Sequence, residues 1–131
     1  MGGGGPLKLL LDSVILIDHF NGRPEATRYL ASVAGEAALS VITRAEVLTG
    51  FDPEDPGTVS AAGSLLDRFP TLGIDLPVAD LAARLRREQR WKMPDAFQAA
   101  LAQYHGLALA TRNTRDFPPD RHRFVVVPYT L

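Results

Sequence analysis

Four acids in this sequence, Asp12, Glu46, Asp95 and Asp116, each fall just beyond an apolar run or at the start of a helical pattern. Asp12 directly follows Leu7–Leu11, and Glu46 lies one helical turn past Ala37–Val41. Asp95 follows Pro94 beside the basic linker Arg90-Trp91-Lys92. Asp116 follows Leu107–Ala110 by way of Thr111-Arg112-Asn113-Thr114-Arg115. Carboxylates that converge on one pocket repel each other unless a cation neutralises them. A set of hard oxygen ligands without histidine or cysteine selects Mg²⁺ or Mn²⁺. Such an ion activates a water and offsets charge on a phosphodiester during in-line displacement.

Each acid also has a purely structural reading. Asp12 is placed to cap a helix. Thr43-x-x-Glu46 has the form of a capping box. Asp95, next to Pro94, suits the first turn of a helix, where the dipole favours negative charge. Asp116 is placed to begin a turn before Phe117-Pro118-Pro119.

The elements that must position these side chains can be read from periodicity and breakers. Leu7–Leu11, Ala37–Val41, Leu72–Asp75, Leu107–Ala110 and Phe124–Val127 read as short strands. After a turn at Asp12, helical patterns run through Val14–Ile17 to near Asn21-Gly22, from Pro24 to about Ala34, from Thr43 to about Gly50, and from roughly Thr58 to Phe69. A further helix opens at Pro77, with Val78, Leu81, Ala82 and Leu85 on one face, and another runs from Pro94 to a glycine stop at Gly106. Short strands alternating with helices predict an α/β fold: a central, mostly parallel sheet of about five strands, flanked by helices in three layers. In such sheets the reactive groups gather beyond the carboxyl ends of the strands, where these acids lie.

At 131 residues the chain is the size of one domain. We divide it into a flexible, glycine-rich leader over residues 1–6 and a single domain over 7–131. There is no cysteine, which removes disulfides, thiolate metal sites and cysteine nucleophiles, and fits a cytoplasmic protein. No apolar run approaches the roughly 18–20 residues of a membrane span. The net charge of −1 hides an asymmetry: residues 1–83 carry 5 basic and 11 acidic side chains, residues 84–131 carry 9 and 4. That layout suits an acidic pocket with a basic rim facing a polyanion; Arg84, Arg86, Arg87 and Arg90 equally form a solvated helix face.

The strings around the acids resemble the motifs of PIN-domain ribonucleases, and among those the VapC-type toxins of toxin–antitoxin pairs. Leu10-Leu11-Asp12-Ser13-Val14-Ile15-Leu16-Ile17-Asp18 is similar to the opening motif, and Ile42-Thr43-Arg44-Ala45-Glu46-Val47-Leu48-Thr49-Gly50 to the second. Met93-Pro94-Asp95-Ala96 with Ala99-Ala100 resembles the third, and Thr111-Arg112-Asn113-Thr114-Arg115-Asp116-Phe117 the fourth. The similarity spans residues 7 to 128. It implies a Rossmann-like PIN fold, a catalytic and metal-binding quartet of Asp12, Glu46, Asp95 and Asp116 with one or two Mg²⁺ or Mn²⁺ ions, and hydrolysis of RNA. It further implies a cognate VapB-like antitoxin and a homodimer. Ser13 and Asn113 match supporting polar positions. Gln98 stands where the family has an apolar residue, a departure we expect to alter helix packing without touching the ligands, and the acidic, proline-rich loop Asp52–Gly57 is a second departure.

Lys92, Arg112 and Arg115 are candidates for holding the nucleic-acid backbone. Trp91 is placed either to stack on a base or to pack in the core. Val59, Leu65, Leu66 and Phe69 form either a dock for an antitoxin helix or part of the chain's own core. Rival enzymes fit less well. A phosphatase with a nucleophilic aspartate needs a second acid two residues after the first, where Val14 stands, and Ser13 breaks the acid pair of a phospho-receiver. A DNA nuclease and a non-catalytic PIN scaffold that binds a partner protein remain as alternatives.

Overall fold

The computed structural model describes residues 6–131, so the leader expected over residues 1–6 lies, apart from Pro6, outside the described residues. Five strands and six helices alternate along the chain: β1 Leu9–Leu11, α1 Ser13–Phe20, α2 Pro24–Val33, β2 Ala37–Ser40, α3 Val41–Thr49, α4 Pro56–Leu66, β3 Thr71–Leu72, α5 Leu76–Gln89, α6 Met93–Tyr104, β4 Ala108–Ala110 and β5 Val125–Val126. The strands form one sheet in the order β3-β2-β1-β4-β5, and every neighbouring pair is parallel. This is the three-layer α/β architecture expected from the alternation.

Side chains along a strand point alternately to opposite faces, and here both faces are apolar. Leu10, Ala38 and Leu109 pack on one side against Val78, Ala82 and Leu85 of α5 and Ala96, Ala99 and Ala100 of α6. Leu11, Ala37, Leu39 and Ala110 pack on the other side with Ile15 and Leu16 of α1, Leu30 of α2, Val47 of α3 and Leu66 of α4. Small alanines on α6 let that helix lie close to the sheet. Gly106, at φ +68, supplies the left-handed residue that ends it.

Helix starts account for most differences from the expected boundaries. The third helix begins at Val41 because the Ser40 side chain accepts the Thr43 amide at 2.9 Å, which also ends β2 one residue early. Thr43 therefore lies inside the helix and there is no Thr43–Glu46 capping box. Asp55 caps α4 through Thr58, with Pro56 in the first turn, so that helix starts two residues before Thr58 and stops at Leu66. Asp75, expected within a strand, instead caps α5 through the Val78 amide, which shortens β3 to Thr71–Leu72. Leu66 and Phe69 are buried in the core, which removes half of the apolar surface considered as an antitoxin dock; Leu65 stays partly open.

Candidate active site

The parallel register Leu11↔Ala110 brings the carboxyl ends of β1 and β4 side by side, and each strand is followed at once by a polar residue. Asp12 is buried there and caps α1, its Oδ1 accepting from the Ser13 amide at 2.9 Å. Its Oδ2 accepts from the Thr111 hydroxyl at 2.6 Å, and the Gln98 amide donates to Oδ1 at 3.2 Å. Capping and site are thus one geometry for Asp12, not rival roles.

Gln98 corrects an expectation directly: it reaches the first acid. Its carbonyl oxygen accepts from the Ser40 hydroxyl at 2.6 Å, and its amide also donates to Thr43 Oγ1 at 2.7 Å. The Thr43 hydroxyl donates to the Leu11 carbonyl at 3.2 Å. This buried network ties β1, the start of α3 and α6 together, and no buried side-chain polar atom among the described residues lacks a partner.

Asp12, Ser13, Glu46, Asp95, Arg112 and Asn113 line a cavity of about 420 Å³ at this end of the sheet. Glu46 stands at its open rim on α3, and Asp95 in the first turn of α6. Asp116 lines the adjoining cavity instead, with Arg115. It is held to the first cavity by Asn113, whose amide donates to its Oδ2 at 3.0 Å. Trp91 is buried against Phe117 and donates its indole N–H to the Asp116 carbonyl at 2.7 Å, so it is a packing and anchoring residue. Lys92 is exposed at the N-cap of α6. The Arg112 guanidinium is engaged by Asp18, with both nitrogen–oxygen distances at 2.7 Å, and Asp18 also accepts from the Tyr129 hydroxyl at 2.8 Å.

The acids feel one another. Burial pushes the Asp95 carboxyl up to about 6, and the negative charges of Asp12, Asp116 and Glu46 add to the rise, while Lys92 opposes it. Burial also raises Asp12, against hydrogen bonds from Thr111, Gln98 and Ser13, with the Asp116 charge adding to the rise. Glu46 is raised by desolvation and by Asp12, with the Ser13 hydroxyl opposing. A cavity that lifts three carboxylates together accumulates negative potential, and a cation would relieve it. Among the described residues no three His, Cys, Asp or Glu side chains form a ready cage for an ion. Such a cage is not what Mg²⁺ needs, since it keeps several waters and takes one or two carboxylates. The oxygen-only donor set fits a hydrated ion of that kind.

Sequence reasoning missed Thr111, Thr43 and Asp18. Thr111 had a signal, as the residue that follows β4 just as Asp12 follows β1. Gln98 had one too, as the lone polar side chain in Ala96–Ala102.

The sequence profile of the PIN domain matches residues 9–118. The chain belongs to the PIN-domain family. This PIN domain is similar to a chain of a toxin-antitoxin complex from Klebsiella pneumoniae, with 37% identity, a TM-score of 0.85 and coverage of 95% of this chain and 100% of that one. It is similar to FitAcB from Neisseria gonorrhoeae at 26% identity and a TM-score of 0.78, covering 94% and 99% of the two chains. DNA-bound VapBC from Salmonella typhimurium shares the fold, with a TM-score of 0.76 at 22% identity over 85% of this chain and 90% of that one. The resemblance to VapC-type PIN domains drawn from four short motifs is borne out. No curated protein sequence matches at a significant level. No helix among the described residues is long and apolar enough to cross a membrane.

Proposed function

We propose that this PIN domain is a Mg²⁺- or Mn²⁺-dependent endoribonuclease, the toxin of a toxin–antitoxin pair. The observation that carries the reading is the convergence of Asp12, Glu46 and Asp95 on one open cavity, with Asp116 near enough to raise two of them. A divalent ion in that cavity supplies positive charge against the phosphate and makes a water more acidic. Asp12, fixed by three hydrogen bonds, is the pre-oriented ligand. Asp95 and Glu46 line the same cavity from two helices and would hold a divalent ion together with Asp12, and Asp116, steadied by Asn113, completes the acidic wall. Ser13 adds a hydroxyl beside Glu46, and Lys92 and Arg115 stand outside as cations for the nucleic-acid backbone.

The similarity to a toxin-antitoxin complex supports a protein held by a cognate antitoxin; a VapB-like antitoxin, a homodimer and a cytoplasmic location belong to the reading through the family resemblance. An arginine or lysine of that partner fits the acidic cavity in place of the ion, since a guanidinium pairs with two carboxylates at once. Expression of the wild type and of Asp12→Asn without a partner tests the reading. The wild type should arrest growth and degrade cellular RNA while the variant does neither. Purified wild type should lose cleavage of single-stranded RNA in EDTA and regain it with Mg²⁺ or Mn²⁺. Equal growth and intact RNA in both strains would overturn the toxin reading.

A further inference from the structure

A second cavity of about 170 Å³ opens beside the acidic one, between the end of α5 and the segment after β4. Three arginines, Arg90, Arg115 and Arg121, line it against one acid, Asp116. Among the described residues none of the three guanidiniums takes part in an ion pair. Unpaired, solvated guanidiniums around one cavity form a site for a planar or tetrahedral oxyanion, because each presents a fork of donors.

The backbone supports this. Arg90 is the sole non-glycine residue with positive φ among the described residues, at φ 60 and ψ 27, where glycine would sit without strain. Its own amide closes α5 on the Arg86 carbonyl at 2.8 Å, and nothing in that bond calls for an arginine side chain. The next residue is clamped twice: Trp91 donates to the Asp116 carbonyl at 2.7 Å and accepts from Arg86 Nη1 at 3.2 Å. An arginine is thus held at a costly backbone position on a rigid wall of the cavity.

The two cavities share a partition. Asn113 lines the acidic one and donates to Asp116, which lines the basic one. We propose that the Arg90–Arg115–Arg121 cavity binds one phosphate of a single-stranded RNA backbone, next to the phosphate under attack. This rests on the nuclease reading above and adds the register in which the strand lies across the site. Arg115 was legible as a backbone contact from its motif; Arg90 and Arg121 come from the fold.

The test measures binding of a labelled single-stranded oligoribonucleotide in an Asp95→Asn background, where the RNA stays intact, across a salt series. Arg90→Gly removes a guanidinium and relieves the backbone at once, so it folds at least as well as its parent; Arg121→Gln is the second change. The double variant should bind about tenfold more weakly near 0.1 M salt, with the slope of log K against log salt shallower by about 0.7, the loss of one phosphate contact on a single strand. A DNA strand of the same sequence should show the same loss, because the cavity reads phosphate. Unchanged affinity and slope, or no binding in the parent background, would overturn the proposal. Cleavage by wild type and Asp95→Asn is measured in parallel: equal rates would defeat the nuclease reading alone, and leave the salt slopes as an independent result.

Discussion

The Gln98 amide donates to Asp12 across 86 positions of sequence while its carbonyl oxygen accepts from Ser40, so one glutamine fixes the first acid and the cap of α3 together. Replacement by the similarly shaped methionine leaves the Ser40 hydroxyl only the longer bond to Thr43 Oγ1 at 3.4 Å and removes partners from Thr43 and Asp12. Gln98→Met should lower stability by about 2 kcal/mol, since buried groups left without partners cost more than the bonds themselves contribute. Urea denaturation at neutral pH checks it. A variant as stable as wild type would mean that the network relaxes around water.

Glu46 has no capping duty, because Ser40 performs it. Glu46→Gln should therefore melt within a degree or two of wild type, yet cleave RNA about a hundredfold more slowly, as expected when a charged group of an ion site is lost. Melting curves and cleavage rates of the same preparation separate the two effects.

Asp95 makes the metal-free protein less stable as the solution becomes less acidic. Its folded value of about 6 lies above the ordinary 3.8, so between those values the folded state holds more protons than the unfolded one. Stability from this group is full below about pH 4 and falls as pH rises to about 6. At this half-exposed position, solvent screening leaves an effect on the order of 1 kcal/mol. Asp95→Asn should flatten that fall and raise the melting temperature at pH 7.5 in EDTA, while weakening the stabilisation given by Mg²⁺. A variant that melts lower than wild type in EDTA would assign Asp95 to the helix dipole instead.

Asp18 behaves in the opposite sense. The Arg112 guanidinium holds its carboxyl below the ordinary value, and the Tyr129 hydroxyl helps. Its contribution is present above about pH 4 and is lost on acidification through its lowered folded value. The Asp18 side chain is only 7% exposed. Arg112→Met should cost about 2 kcal/mol at pH 7 by leaving that carboxylate without its partner, and the deficit should shrink towards pH 3. Denaturation at the two pH values measures the difference.

These relationships show which parts of the molecule sequence can reveal. Asp12 and Asp95 were legible because each sits in a short string with a local structural job, a strand end or a first helical turn, and Glu46, on the second turn of α3, was legible from the string around it. The partners of Asp12 were not. Thr111 meets it from 99 positions away, a contact fixed by the strand order β2-β1-β4 rather than by any nearby pattern. The start of α3 was misplaced because Ser40 and Thr43 both offer a hydroxyl three residues ahead of a suitable amide or acid. Burial decided between them: Thr43 lies inside, and its hydroxyl turns to the Leu11 carbonyl. The role of Arg112 was hidden for a similar reason, since Asp18 belongs to the first motif and meets it only in the folded chain.

The position of β1 in the middle of the sheet governs when the protein can first act. A ribosome delivers β1, β2 and β3 in that order, but the other edge of β1 stays bare until Ala108–Ala110 emerge. Until then Asp12 lacks Thr111, and the helix that carries Asp95 and Gln98 has no completed sheet to lie on. A growing chain therefore exposes an unsatisfied strand edge that invites chaperones. On the ribonuclease reading proposed above, it also stays inert towards the messenger, the transfer RNAs and the ribosomal RNA that surround it during its own synthesis.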